Sequence, residues 1–437
     1  MDSTPVFRPL RHPDPPEHSM QQQLSARGLR AWRNAIFTIF ALSGLSLATW
    51  VSRLPAVRDE LGIDTLQLGV LIFCMSAGSV IGLIAAPILI NRVGARVGMV
   101  GALLVVSIGL VLIGVGSDVV ASAPVVGLGL ALFGFGNGTC DVIMNVEAAA
   151  VEKQAGRTLM PLMHAFFSFG TVAGAGLGAL ASALAVPIVV HASVMAVVIA
   201  VTVLAVIRFV PAGAEADESA SAAAASTAPL ERERVPFRQR LIASLAVWKD
   251  VRLLLIGVIM LGMAFAEGSA NDWLTIAVVD GHHQDNTVGA IVFWVFTASM
   301  TAGRIAGGPV LDRFGRVPVL RVSALLGVIG ILLFIVSPLP WLAFVGTVFW
   351  ALGCSLGFPV GMSAAADVDD PRLSAARVSA VAIIGYCAFL VGPPLIGLLA
   401  HEFGILGALL LILVLVVLAG LASPAARERR PSPVPAR

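Results

Sequence analysis

The chain has 437 residues and a mass of 45.2 kDa, room for two or three soluble domains, yet 58% of it is hydrophobic and only 12% is charged. Ordinary soluble proteins stand near about 45–50% and about 25%, and a mean hydropathy of +0.93 excludes that class. A formal net charge of +2 excludes a nucleic-acid footprint, which needs a basic surface. What remains is an all-α polytopic membrane protein, whose 44 glycines suit helices that approach one another closely in lipid. With a single tyrosine, Tyr386, the aromatic belts at the membrane interfaces fall to the seven tryptophans.

Residues 1–33 are polar, with five arginines and five prolines. No short apolar core with a cleavage site precedes the first long apolar run, so no removable leader is expected and the segment reads as a cytoplasmic tail. A membrane helix takes about 20 mostly apolar residues. Twelve runs qualify: 34–56, 66–90, 98–116, 121–150, 160–185, 187–210, 252–279, 288–311, 317–337, 340–365, 375–400 and 402–423. Residues 211–250 break the pattern with an Ala/Ser/Glu run, the stretch Glu231-Arg232-Glu233-Arg234 and an amphipathic piece at 237–249, and read as a cytoplasmic linker. The expected organisation is a tail at 1–33, a six-helix half at 34–210, the linker at 211–250, a second six-helix half at 251–423 and a tail at 424–437.

Twenty-five of the 28 lysines and arginines fall in the tails, the linker and one alternate set of loops. The other loops hold only Arg53 and Arg58, and Arg304 lies within a span. This asymmetry predicts that both termini are cytoplasmic. Cys74, Cys140, Cys354 and Cys387 all sit in apolar runs without CxxC spacing, and are expected as buried small hydrophobes rather than disulfide or metal ligands.

The two halves echo one another. Asn91-Arg92-Val93-Gly94-Ala95-Arg96 follows the second run, and Gly308-Pro309-Val310-Leu311-Asp312-Arg313-Phe314-Gly315-Arg316 follows the eighth, an offset of 221 residues from Asn91 to Asp312. Gly170, Gly174, Gly176 and Gly178 in the fifth run answer Gly385, Gly392 and Gly397 in the eleventh. Two six-span repeats about an axis along the membrane normal describe the major facilitator fold.

The loop pattern G-x-x-x-D-R-x-G-R is that of the major facilitator superfamily, which the chain resembles over nearly its whole apolar length. Residues 308–316 match it fully, whereas the first copy has Asn91 in place of the acid and Ala95 interrupting the basic pair. A narrower resemblance lies in the string from Gly134 through Asp141 and Asn145 to Glu147, and in Arg157 with Met160, His164 and Ser168-Phe169-Gly170. It continues in Glu267 to Trp273, and in Gly385-Tyr386 through Gly392-Pro393-Pro394. These are similar to the fucose-permease-related branch, and within it to the bacterial MosC-like and YbjJ-like group. The resemblance implies twelve transmembrane helices in two six-helix halves and a secondary transporter in the bacterial inner membrane. It also implies a small polar solute, with sugars, polyols and inositol derivatives as candidate cargoes.

In the two loop copies the glycine permits a tight turn, an acid can cap a neighbouring helix, and arginines can bridge the halves. Asn91, Arg92, Gly94, Arg96, Gly308, Asp312, Arg313, Gly315 and Arg316 are therefore candidate gating residues, unless these loops only enforce topology. An acid within hydrocarbon costs about 2.5–3.5 kcal/mol and is a functional candidate by default. Four lie in spans: Asp141, Glu147, Glu267 and Asp272.

Gly134, Gly138, Asp141 and Asn145 share one helix face, which reads as cavity lining. Asp141 is expected either to bind solute and proton or to anchor a structural hydrogen bond. Its position resembles the proton-sensitive span-four acid of fucose permease, although span one here has no second acid, only Ser43, Ser46, Thr49 and Trp50. Phe358 and Met362 stand at the corresponding level of span ten, as apolar walls. Glu267 and Asn271, one turn apart, with Trp273 beyond, form a second candidate solute and proton site, and Trp50 is a third aromatic contact. Glu267 as a fixed interhelical anchor fits equally well. Asp272 is expected as an outer contact with Arg53 as its partner.

Glu147 and His164 flank the turn between spans four and five at one depth, and read either as a proton relay or as a static pair closing the inner helix ends. His191, His282, His283 and His401 are expected to be solvated. Arg304, eight residues before Asp312, reads as part of the cytoplasmic gate or as an anion ligand. No phosphate loop, HExxH or nucleophile elbow occurs, so neither ATP-driven transport nor an enzyme is expected, and no cofactor or metal. The partners expected are a small solute, protons and the bilayer, with a monomer as the unit because each chain encloses its own cavity. Export of an amphipathic drug, antibiotic or metabolite is the competing function. Span five lacks the Gly-Pro pair of the drug–proton antiporter signature, which counts against it.

Overall fold

The computed structural model describes residues 26–156, 159–211, 247–368 and 371–428. Most of the tail and linker readings, the amphipathic piece at 237–249 and Arg157 lie largely or wholly outside these residues, as does the side chain of Tyr386. Among the described residues there is no strand, as expected where lipid offers no partner for an open backbone hydrogen bond.

The helices run in order α1 Ala26–Val51, α2 Leu54–Leu61, α3 Thr65–Asp118, α4 Ala123–Ala155, α5 Met160–Ala183 and α6 Ile188–Val206, then α7 Val251–Ile276, α8 Asn286–Phe314, α9 Arg316–Val336, α10 Pro340–Cys354, α11 Gly357–Ala366, α12 Pro371–Phe403 and α13 Ile405–Ala422. Eleven continuous stretches among the described residues are long and apolar enough to cross a membrane. One of them, α3, has 54 residues. At 1.5 Å per residue it would extend about 80 Å, far beyond a hydrocarbon core of about 30 Å. Gly94, with φ 78° and ψ 161°, breaks it into two spans, and α10 with α11 makes another single span, so twelve crossings result. Gly315, 221 residues after Gly94, has φ 76° and ψ 170°. Both turns use a backbone region that is essentially glycine's own and costs a side-chain-bearing residue about 1–3 kcal/mol, so the sequence repeat is also a conformational one.

Local signals set the ends. Asp64 caps α3 in a reciprocal box: Gln67 N donates to its carboxylate at 2.8 Å while Asp64 N donates to the Gln67 side chain at 3.1 Å. Gly156 ends α4 in the left-handed region. The first span begins at Ala26, with Arg27, Arg30 and Arg33 inside the helix, and it stops at Val51, leaving α2 as a separate short helix.

The face of α4 that carries Gly134 and Gly138 is not open. A methyl on Gly134 would overlap the Met75 carbonyl, and one on Gly138 would overlap Ser79. The second span fills the room expected there, because small residues let two backbones meet where lipid supplies no hydrophobic drive. Four of the seven tryptophans, Trp32, Trp50, Trp273 and Trp350, are buried in the core, so only Trp248, Trp294 and Trp341 remain for a belt. Cys140 and Cys354 are buried as expected, but Cys74 is half-buried and Cys387 is exposed. His191 is buried instead of solvated, with both ring nitrogens lacking partners among the described residues.

At the end where the chain's described termini meet, Arg377 bonds the Asp250 carboxylate that caps α7, and its Nε donates to the Ala365 carbonyl at 3.3 Å. Arg252 donates to the carbonyls of Ala425 and Arg427. The Gly94 and Gly315 turns lie at this same termini end; the opposite end is called the far end below.

Candidate functional site

The charged residues of the spans fall into three groups. In the first, Arg304 on α8 donates from Nη2 to Glu267 Oε1 on α7 at 2.7 Å. Cys354 on α10 and His164 on α5 lie within electrostatic reach of the same guanidinium. Arg304 is thus surrounded by helices, yet its side chain is 31% exposed. The pair is therefore only partly buried, with Glu267 14% exposed. Charges held this way keep partial hydration, which lowers the desolvation penalty of an ion pair in a low dielectric. Arg304 turns to Glu267 and not to Asp312, so the two form one element.

The second group is on α4. Asn145 Nδ2 donates to the Asp141 carbonyl at 2.8 Å and lies 3.4 Å from Asp141 Oδ1. Asp141 and Asn145 are both half-buried, and Asp141 has no cationic partner among the described residues. Ser43 of α1 faces this level of α4 through the sulfurs of Cys140 and Met144, each at 3.7 Å.

The third group closes the termini end of the first six helices. Trp32 Nε1 donates to Glu147 Oε2 at 3.0 Å, and Glu147 is 5% exposed. His164 does not join it. Its ring meets Phe40 edge-on with centroids 5.3 Å apart, and it is exposed towards Arg304. Glu147 meets α1 at Trp32 and His164 meets it at Phe40, eight residues on, so the two do not form the expected pair.

Trp50 and Trp273 stay apart from these groups. Trp50 is 2% exposed and lines a small cavity with Thr49, Arg53, Leu110 and His191. Trp273 is fully buried, its ring over Gly397. Neither indole N–H has a hydrogen-bond partner among the described residues. Asn271 is half-buried beside Asp272. Arg53 donates to the Val186 carbonyl at 2.7 Å and does not reach Asp272. The short turn after α1 holds Arg53 within the first six helices and leaves Arg58, one helical turn further on, to project outwards.

The loop residues divide unequally. Asn91 and Arg92 are exposed, and Arg96 is half-buried. Gly308, Asp312 and Arg313 are exposed, and the Arg313 guanidinium lies 5.4 Å from the Phe314 ring. Arg316 is engaged: it donates to Asp367 at 2.8 Å and to Ser363 at 3.0 Å, tying α9 to α11. Its counterpart after Gly94 is Ala95, which is 3% exposed, so that tie is made in one repeat only.

Sequence reasoning passed over Trp32, Arg58, Arg377 and Asp280. The signal for Arg58 was present: it is one of two cations in otherwise cation-free loops. Trp32 gave none, because an indole at a helix start reads as an interfacial anchor.

The profile of the Major Facilitator Superfamily matches residues 36–306 and 273–437. An uncharacterized transporter of Sinorhizobium fredii is 28% identical over 86% of this chain and 92% of its own length. The membrane protein MosC of Rhizobium meliloti is 26% identical over 88% and 87%. Among solved structures, a bacterial homolog of the human lysosomal transporter Spinster, inward-facing and occupied, superposes with a TM-score of 0.72 at 13% identity, covering 93% of this chain and all of that one. A variant of the E. coli fucose:proton symporter FucP superposes at 0.57 with 14% identity, over 91% and 98%. At these identities the superpositions show a common fold.

Proposed function

Because the chain belongs to the Major Facilitator Superfamily and is a multi-pass membrane transporter, not an enzyme, we propose that it is a proton-coupled secondary transporter. Its solute is a small polar molecule of the sugar, polyol or inositol class, moved by alternating access. The observation that carries this is the Asp141 carboxylate, whose one side-chain hydrogen bond among the described residues is the weak approach of Asn145. Asp272 likewise has no ion pair among the described residues but is buried, whereas Asp141 is half-buried, so Asp141 is the in-span acid that can take up a proton within reach of solvent and without breaking an ion pair. Glu267 is held by Arg304 and Glu147 by Trp32, which makes them framework, with Arg304–Glu267 and His164 forming the opposite wall.

Asp141 and Asn145 together offer an acceptor and a mixed donor–acceptor, the pair a ring hydroxyl needs, and Phe358 and Met362 supply the apolar surface for the other sugar face. Asn271 extends the polar wall. Asn91 to Arg96 and Gly308 to Arg316 serve the gate at the termini end. The termini face the cytoplasm, the membrane is the bacterial inner membrane, and one chain is the working unit.

The test is uptake of labelled sugars and inositols into proteoliposomes under an imposed pH gradient. Asp141→Asn abolishes pH-driven accumulation while leaving solute exchange. Undiminished pH-driven uptake in that variant removes Asp141 as the coupling group. Stabilisation of the purified protein by amphipathic drugs alone moves the assignment to export.

A further inference from the structure

Every hydrogen bond and ion pair formed between described residues of the first and second sets of six helices lies at the far end. Arg58, on α2, is the centre. Its guanidinium bonds the Asp280 carboxylate at the end of span seven and also Asp59, at 2.7 Å from Nη2 and 3.1 Å from Nε. Asp59 in turn accepts from Asn286 Nδ2, at the start of α8, at 3.0 Å. The order Asp280–Arg58–Asp59–Asn286 runs from the second set through two neighbouring residues of the first and back to the second, and clasps the turn between α7 and α8 from both sides.

Behind it Ser182 and Thr287 share a hydrogen bond of 3.2 Å, and His401 stands 3.8 Å from Asp64. Asp280 belongs to the π-turn Ala277–Gly281, an irregular end that is freer to rewind than a regular helix. Burial lowers the Arg58 pKa, but the hydrogen bonds to Asp280 and Asp59 outweigh it and hold the group above its ordinary value, so the guanidinium stays charged.

We propose that α2 is the latch of the far gate: Arg58 and Asp59 lock the turn between α7 and α8, and release of Arg58 from Asp280 lets the two sets of helices part at that end. This rests on the alternating-access reading. A planar fork bridging two carboxylates is geometrically selective, so it engages in one relative position of the halves and contributes nothing in the other, as a two-state device requires. The twenty-residue spans behind it contribute close packing, as where Gly397 would bring a methyl within 3.1 Å of the Gly69 Cα.

The experiment uses the full chain with its four cysteines replaced, reconstituted in nanodiscs, and electron–electron distance measurements between spin labels at Val120→Cys and Leu339→Cys, two exposed far-end positions on opposite sets. A second pair, Val97→Cys and Val322→Cys, reports on the termini end. Arg58→Ala and Asp280→Ala lengthen the far-end distance and shorten the termini-end one. The exchange Arg58→Asp with Asp280→Arg restores both, and Asn286→Ala gives a smaller shift of the same sign should the stronger variants misfold. Unchanged distances, or lengthening at both ends, overturn the latch. The distances need no solute, so a latch that opens in a chain that moves nothing discredits the transport reading alone. Retained pH-driven uptake with a far end that stays shut discredits the latch alone.

Discussion

Glu267 and Arg304 illustrate how a charge survives in a span. Each satisfies the other, and removing one strands its partner. Glu267→Gln is expected to lower stability by about 3 kcal/mol, the lower end of the cost of a broken buried pair because the site is partly hydrated. Glu267→Gln with Arg304→Met recovers most of that loss. A melting series in detergent checks the pattern, and additive losses contradict it. Trp32→Phe removes the N–H that Glu147 accepts and is expected to cost about 1.5–3 kcal/mol, the range for hydrogen bonds to charged groups, read in the same melts. The candidacy of Asp141, Glu147 and Glu267 was legible because an acid in an apolar run is conspicuous. Their partners were not, since Trp32 lies 115 residues from Glu147 and nothing local to either residue encodes the helix rotation that joins them.

At the scale of elements, the glycine stripe of α4 is a packing surface. Gly134→Ala forces a methyl onto the Met75 carbonyl, and an overpacked contact of this kind costs about 1–3 kcal/mol. Gly101→Ala, whose added methyl meets nothing within 4 Å, leaves the melting temperature nearly unchanged, and the contrast checks the assignment. The α7 cap gives a pH-dependent test. Burial by itself raises the Asp250 carboxyl, but Arg377 and the backbone N–H groups of Leu253 and Arg252 outweigh it and hold its pKa below the usual carboxylate range. The stabilisation is therefore fully present above the unfolded value and is lost as pH falls through the folded one. Asp250→Ala should cost about 1 kcal/mol at neutral pH, a difference that vanishes in acid. Helix positions were readable from apolar runs and glycine turns. Which glycines line space and which line a neighbouring backbone was not, because both roles use the same residue.

For the molecule as a whole, the repeat was legible in the two loop copies, and Gly94 and Gly315 share one backbone conformation, while the threading read from arginine placement is a proposal. The repeats then diverge chemically, with Arg316 bound to Asp367 and Ala95 bound to nothing comparable. The proposed orientation has a direct check on intact cells: a membrane-impermeant maleimide should label Val120→Cys and spare Lys153→Cys in a cysteine-free background, and the reverse labelling would invert the topology.

The far-end clasp also has a sidedness. Asp59 and Asp280 are 45% and 33% exposed, so cations in the medium at the far end can compete with Arg58 for the two carboxylates, and only from that side. On the proposed latch, salt added on that side alone should ease opening, while the same salt on the other side should leave it unchanged.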